Sequence, residues 1–178
     1  MIGSVFFAAA LAFSPETALR AALDGDAEWT MERTLPGTDR TLVSSGTVHC
    51  AVGTGIVWKT VFPFESSVTM TTNAMIFADE EGVREKALSE LPHYAEIRRR
   101  TDAFAAGEFS AFEGLFRVET EKFADGGWRL KLEPEVRQME RLMKSVELYG
   151  ARLPTNAVMQ TGDGGVSRIF FRERRRDR

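Results

Sequence analysis

Residues Trp128-Arg129-Leu130-Lys131-Leu132-Glu133 alternate strictly between large apolar and charged side chains. That period suits an extended strand with one wet face and one buried face, because helical spacing would mix the two kinds of side chain around one cylinder. Pro134 breaks the run. The same period recurs elsewhere. Trp29-Thr30-Met31-Glu32 alternates. Residues 42–52 set Val48, Cys50 and Val52 against Thr47 and His49. Residues 56–62 gather Ile56, Trp58 and Phe62 opposite Lys59, and Pro63 closes the run. Residues 67–72 with Met70, and 75–77 with Phe77, follow in turn. Residues 115–122 carry Phe116, Val118 and Thr120 on one side. Residues 145–149, 156–161 and 166–171 read as the last strands.

The punctuation between these runs is tight. Pro36-Gly37-Thr38-Asp39, Gly53-Thr54-Gly55 and Gly162-Asp163-Gly164-Gly165 are turns, and the last is a strong hairpin signal. Short strands joined by tight turns predict an antiparallel meander or barrel rather than alternating β-α units. About ten such strands exceed what a flat open sheet holds comfortably, so the sheet is expected to curl and enclose something. Helical periodicity is found over residues 15–25, opened by Ser14-Pro15-Glu16, and over 92–106. Ser110-Ala111-Phe112-Glu113 has capping-box spacing, and 136–142 has room for one or two helical turns. The expected fold is therefore mainly β with α: an incomplete antiparallel β-barrel, strongly curved, with helices covering or plugging its concave face.

The N-terminus has a different character. Residues 2–13, IGSVFFAAALAF, are too short to span a bilayer but fit the apolar part of a secretory signal. Ala10-Leu11-Ala12 offers a small-x-small cleavage pattern, although no Lys or Arg precedes the apolar run. The alternative is a buried N-terminal helix. The division that follows is a signal peptide at 1–12, a single domain at 13–171 and a charged tail at 172–178. Export to the periplasm is the expected location.

Residues available for chemistry are few. With one cysteine and two histidines, the chain cannot form an internal disulfide or a multi-cysteine zinc site. His49 and Cys50 are strand neighbours and point to opposite faces, so they do not make a nucleophile-base pair with each other. His93 sits beside Pro92 at a helix start and reads as a surface or capping residue. Asp79-Glu80-Glu81 lacks calcium-loop spacing, and the glycine turns lack a phosphate loop's lysine or its strand-to-helix setting. No catalytic residue, metal or cofactor is implied. Residues 1–91 are net acidic and 92–178 net basic, without the concentrated basic face of a nucleic-acid binder.

What stands out is an inward-facing apolar set: Trp29, Met31, Val48, Trp58, Phe62, Met70, Phe77, Phe116, Val118, Trp128, Leu130 and Leu132. Such residues either fill a core or line an apolar cavity for an acyl chain, and methionine suits a lining that repacks around its ligand.

The order of these pieces resembles the outer-membrane lipoprotein carrier protein (LolA) family, in its divergent LolA-like branch. Ala27-Glu28-Trp29-Thr30-Met31-Glu32-Arg33 is similar to that family's first strand. Leu42-Val43-Ser44-Ser45-Gly46, Gly55-Ile56-Val57-Trp58 and Pro63 follow its order of strand, Trp and Pro. Asn73-Ala74-Met75-Ile76-Phe77 stands where the family has a turn and an apolar strand. Ala105-Ala106-Gly107-Glu108-Phe109-Ser110-Ala111-Phe112, Trp128-Arg129-Leu130-Lys131-Leu132-Glu133-Pro134 and Gly162-Asp163-Gly164-Gly165 with 166–171 complete the match, from about residue 15 to 171. The resemblance implies a helix-lidded incomplete barrel in the periplasm. It also implies a non-enzymatic, monomeric carrier that takes acylated lipoprotein or other lipid cargo from an inner-membrane exporter to an outer-membrane acceptor. The family's Arg-Pro pair has no counterpart in Ala51-Val52-Gly53, and Arg98, Arg99 and Arg100 read as a solvated charge run rather than a replacement latch. The competing readings are a β-rich envelope interaction module with a filled core, and a hydrolase using His49.

Overall fold

The computed structural model describes residues 25–51, 55–71, 73–87, 103, 108–141 and 143–173. Its strands are β1 (Gly25–Thr34), β2 (Thr41–Ala51), β3 (Gly55–Phe62), β4 (Ser66–Met70), β5 (Ala74–Asp79) and β6 (Gly82–Ala87), followed by β7 (Phe116–Lys122), β8 (Trp128–Pro134), β9 (Met143–Gly150), β10 (Pro154–Thr161) and β11 (Val166–Glu173). A 3-10 helix (Phe109–Phe112) precedes β7, and α1 (Arg137–Glu140) joins β8 to β9.

All eleven strands form one sheet in the order β6-β5-β4-β3-β2-β1-β11-β10-β9-β8-β7. Every pairing is antiparallel. Two meanders are thus joined at the middle by the first and last strands, with Trp29 opposite Phe171 and Thr34 opposite Val166. The predicted turns are realised where their residues permit. In the β10–β11 hairpin Gly164 takes φ +94°, a left-handed conformation that glycine adopts without a steric penalty. Asp163 braces that hairpin, accepting from the Thr161 hydroxyl and the Gly165 N–H. Those two donors hold its carboxyl below the usual carboxylate range.

Three expectations need correction. The sheet is open and curved, not a barrel closed over by helices. Closure would require β6 to pair with β7, and both are edges of the sheet carrying exposed charge: Arg84, Glu85 and Lys86 on one, Arg117, Glu119 and Glu121 on the other. Charged edges resist further strand addition. Next, no helix among the described residues plugs or covers the apolar face as a lid. The 3-10 turn packs on β7, and α1 packs on β9 and β8. The helices expected over 15–25 and 92–106 lie outside the described residues, apart from Ala103 and from Gly25, which opens β1. Last, the capping-box spacing at Ser110 does not cap. Ser110 lies inside the 3-10 helix, whose N-cap is Glu108 with no side-chain cap bond. The expected signal segment at 1–12 also lies outside the described residues.

β6 went unrecognised in the sequence. Val83-Arg84-Glu85-Lys86 has no apolar face because an edge strand left in water needs none.

Candidate functional site

Strand alternation and register sort the side chains onto two faces. On one face Val118, Leu132 and Val146 follow one another across β7, β8 and β9, and Leu130 pairs with Leu148. The row continues through Ala157 and Ile169 to Met31 on β1. Past the seam, Ala27 pairs with Val48, Val48 with Trp58, Trp58 with Val68 and Val68 with Phe77. One apolar face therefore runs across both meanders.

Its two halves are covered differently. On β7–β10, Phe112, Phe116, Trp128, Leu130, Leu132, Met143, Val146, Leu148 and Ala157 form one buried cluster. Phe112 arrives from the 3-10 helix and stacks obliquely on Phe116 at 5.4 Å, while Met139 of α1 packs beside them. On β1–β3 a smaller cluster of Ala27, Trp29 and Val48 is flanked by half-buried Met31, Ile56 and Trp58. Ile169 and Phe171 touch both clusters. Further along, Val68, Met75 and Phe77 are half-buried, and Phe62 is 55% exposed.

Of the twelve sequence-predicted lining residues, Trp29, Val48, Phe116, Trp128, Leu130 and Leu132 are buried, whereas Met31, Trp58, Phe77 and Val118 are half-buried. Phe62 lies at the exposed end of β3, beside the hairpin that carries Phe64. Met70 pairs with Ile56 and Met75 in the register. Ile169, Phe171, Val146, Leu148, Ala157, Met159 and Met75 belong to the same face and were missed. The alternation Ser145-Val146-Glu147-Leu148 would have found two of them, whereas Phe170-Phe171 hides which residue points in.

Two tryptophans anchor the halves, each beside a glycine of the next strand. Trp128 pairs with Gly150, where an added Cβ would stand 2.5 Å from its Cζ2. The Trp128 N–H donates to the Ala151 carbonyl at 2.6 Å. Trp29 pairs with Gly46, and its ring reaches over β2 to stack on Trp58 of β3 at 4.6 Å and 24°. Gly46 is confined as well: a Cβ there would meet the Lys59 carbonyl oxygen at 1.9 Å. Trp29 is 2% exposed, and its Nε1 is the buried side-chain polar atom without a hydrogen-bond partner among the described residues.

The opposite face is polar. Glu147 accepts from the Tyr149 hydroxyl at 2.5 Å and from Arg129 Nε at 2.9 Å. The tyrosine hydroxyl first, then the guanidinium, hold the Glu147 carboxyl below its ordinary range against the opposing effect of burial. The same bond pushes the Tyr149 phenol up. Lys131, at 2.7 Å, and then Arg117 likewise lower Glu133. His49 Nδ1 lies 2.6 Å from Asp26 on this face, turned away from Val48 and the apolar row. Among the described residues no group of three His, Cys, Asp or Glu side chains is placed to hold a metal ion.

The family model for "Outer membrane lipoprotein carrier protein LolA-like" matches residues 40–160. No curated protein matches the sequence. Among solved structures, the chain is similar to a LolA superfamily protein from Nitrosomonas europaea, at 13% identity, covering 95% of this chain and 96% of that one, with a TM-score of 0.45. It is also similar to a DUF1329 family protein from Desulfovibrio piger, at 10% identity, covering 92% of each chain, with a TM-score of 0.37.

Proposed function

The chain belongs to the outer membrane lipoprotein carrier protein LolA-like family, and from that premise we propose that it is a non-enzymatic envelope carrier whose apolar sheet face shields acyl chains. One observation supports this most: the apolar row does not end at its buried core but continues across β3–β5, where Trp58, Met75 and Phe77 remain half-buried. A face used only as a core gains by being covered, since each CH₂ removed from water contributes about 0.8 kcal/mol. A face that must take up a lipid anchor and give it back keeps some of that surface accessible.

On this reading the cargo is an acylated lipoprotein or another lipid. The setting is the periplasm after signal removal at residue 12, and an inner-membrane exporter and outer-membrane acceptor are the partners of a monomeric carrier. Mass spectrometry of organic extracts from protein purified out of the periplasm tests it. Co-purified acyl chains are expected, together with an apolar dye whose fluorescence rises on binding and falls when lipid competes. Empty extracts and an undisplaced dye would leave the interaction module, whose contact surface would be the exposed Leu42, Val43, Phe62 and Phe64.

A further inference from the structure

We infer that the Trp29 indole N–H is a cargo-binding donor that takes the carbonyl oxygen linking an acyl chain to its headgroup, an inference that rests on the carrier function proposed above. Burying an N–H without an acceptor is costly, and folded proteins seldom leave one so. Trp29 is 2% exposed, yet its Nε1 has no hydrogen-bond partner among the described residues. The apolar residues of its cluster include Ala27, Val48, Met31, Trp58, Ile169 and Phe171. The other tryptophan on this face shows what the fold does when the N–H is purely structural: Trp128 is tied to the Ala151 carbonyl at 2.6 Å. Trp29 instead lies against half-buried Trp58, on the side where the apolar face stays accessible. Alkyl chains carry no acceptor, so the chemistry that satisfies this donor is the ester or amide carbonyl at the head of the chain. The donor would then fix how deep the chain lies, with methylenes along the apolar row and the headgroup towards the open half.

The test uses the full-length protein and a matched pair of ligands, 1-monopalmitoylglycerol and its 1-O-hexadecyl ether, which share chain and headgroup but differ in the carbonyl. Both compete for a bound naphthylamine dye. Trp29→Phe should weaken the ester about five- to tenfold, the worth of one buried hydrogen bond, and leave the ether within about twofold. Replacing Trp29 by 3-benzothienylalanine, which keeps the ring shape but lacks the N–H, should do the same. It should also raise the unfolding midpoint of the unliganded protein, because a buried unpaired donor has gone. Equal weakening of ester and ether, or no weakening of either with the isostere, would overturn the inference and make Trp29 a packing residue. Failure of both ligands to displace the dye from the unaltered protein would instead remove the carrier reading itself, and this inference with it.

Discussion

Trp128 and Trp29 occupy matching positions and meet different fates. Each sits on the apolar face opposite a glycine of the neighbouring strand. Trp128 is fully buried as part of the larger cluster, and its N–H is satisfied. Trp29 is nearly as buried, but it stacks on the half-buried ring of Trp58, and its N–H has no partner among the described residues. The difference teaches that one continuous apolar face can be fully buried over one half and left half-buried over the other. What separates them is not hydrophobicity but whether the polar atoms and outer rings have been tied down.

Substitutions at the closed half should give the largest effects. Trp128→Ala is expected to lose about 4 kcal/mol, the cavity cost of deleting a large buried aromatic, measured by urea unfolding. A loss under ~1 kcal/mol would mean that this half is not the stability core. Gly46→Ala comes next, at about 3 kcal/mol. Its Cβ would press on the Lys59 carbonyl, which is backbone and gives little way. It should therefore disturb the Trp29–Trp58 stack, visible as a changed near-ultraviolet dichroism signal. A near-neutral Gly46→Ala would show that β2 can shift and that the stack is loosely held. Trp58→Ala should cost only about 1–2 kcal/mol because the ring is half-buried, while dye or lipid affinity falls more than in Leu130→Ala. Equal stability losses at Trp58 and Trp128 would erase the contrast between the halves.

The smallest effect concerns the polar face behind Trp128. The folded state holds the Glu147 carboxyl below its ordinary range. Its contribution is therefore present above the unfolded carboxylate pKa and is lost as pH falls through the depressed folded value. Tyr149 is raised, so its share is present below the ordinary phenol pKa and lost as pH rises through the folded one. Glu147→Gln should lower stability at neutral pH by roughly 1 kcal/mol and flatten the acid limb of the stability curve. Hydrogen exchange should place the loosening on β8 and β9. An acid limb unchanged in this variant would mean that other carboxylates govern it.

Most strands were legible because a half-buried strand writes its two faces into alternate residues, as Trp128 to Glu133 does. β6 was not, since an edge with charge on both sides has no alternation to read. The sequence pointed to an incomplete barrel, but which strands would be its open edges was not legible. Whether an incomplete barrel closes depends on the two outermost strands, and nothing local in 82–87 or 116–122 announces that these are the edges. The lining residues were readable as inward-facing, but the split between sealed and accessible halves was not. That split depends on which side chains tertiary packing brings onto each half. The unpaired N–H of Trp29 is likewise a tertiary fact, because the identity of a tryptophan says nothing about where its proton points.

The pairing of β1 with β11 also dictates an order of assembly. A growing chain can zip β1–β6 as a meander soon after each hairpin emerges, and β7–β10 likewise, since those contacts are local. The centre of the sheet must wait. Thr34 meets Val166 only after the intervening chain has been made, and the loop that closes then is nearly the whole domain. Until that moment both half-sheets keep a bare inner edge, and the tryptophan at that edge has no Phe171 to face. A polypeptide stopped short of residue 166 is therefore not a smaller version of this fold but two unfinished sheets without a seam.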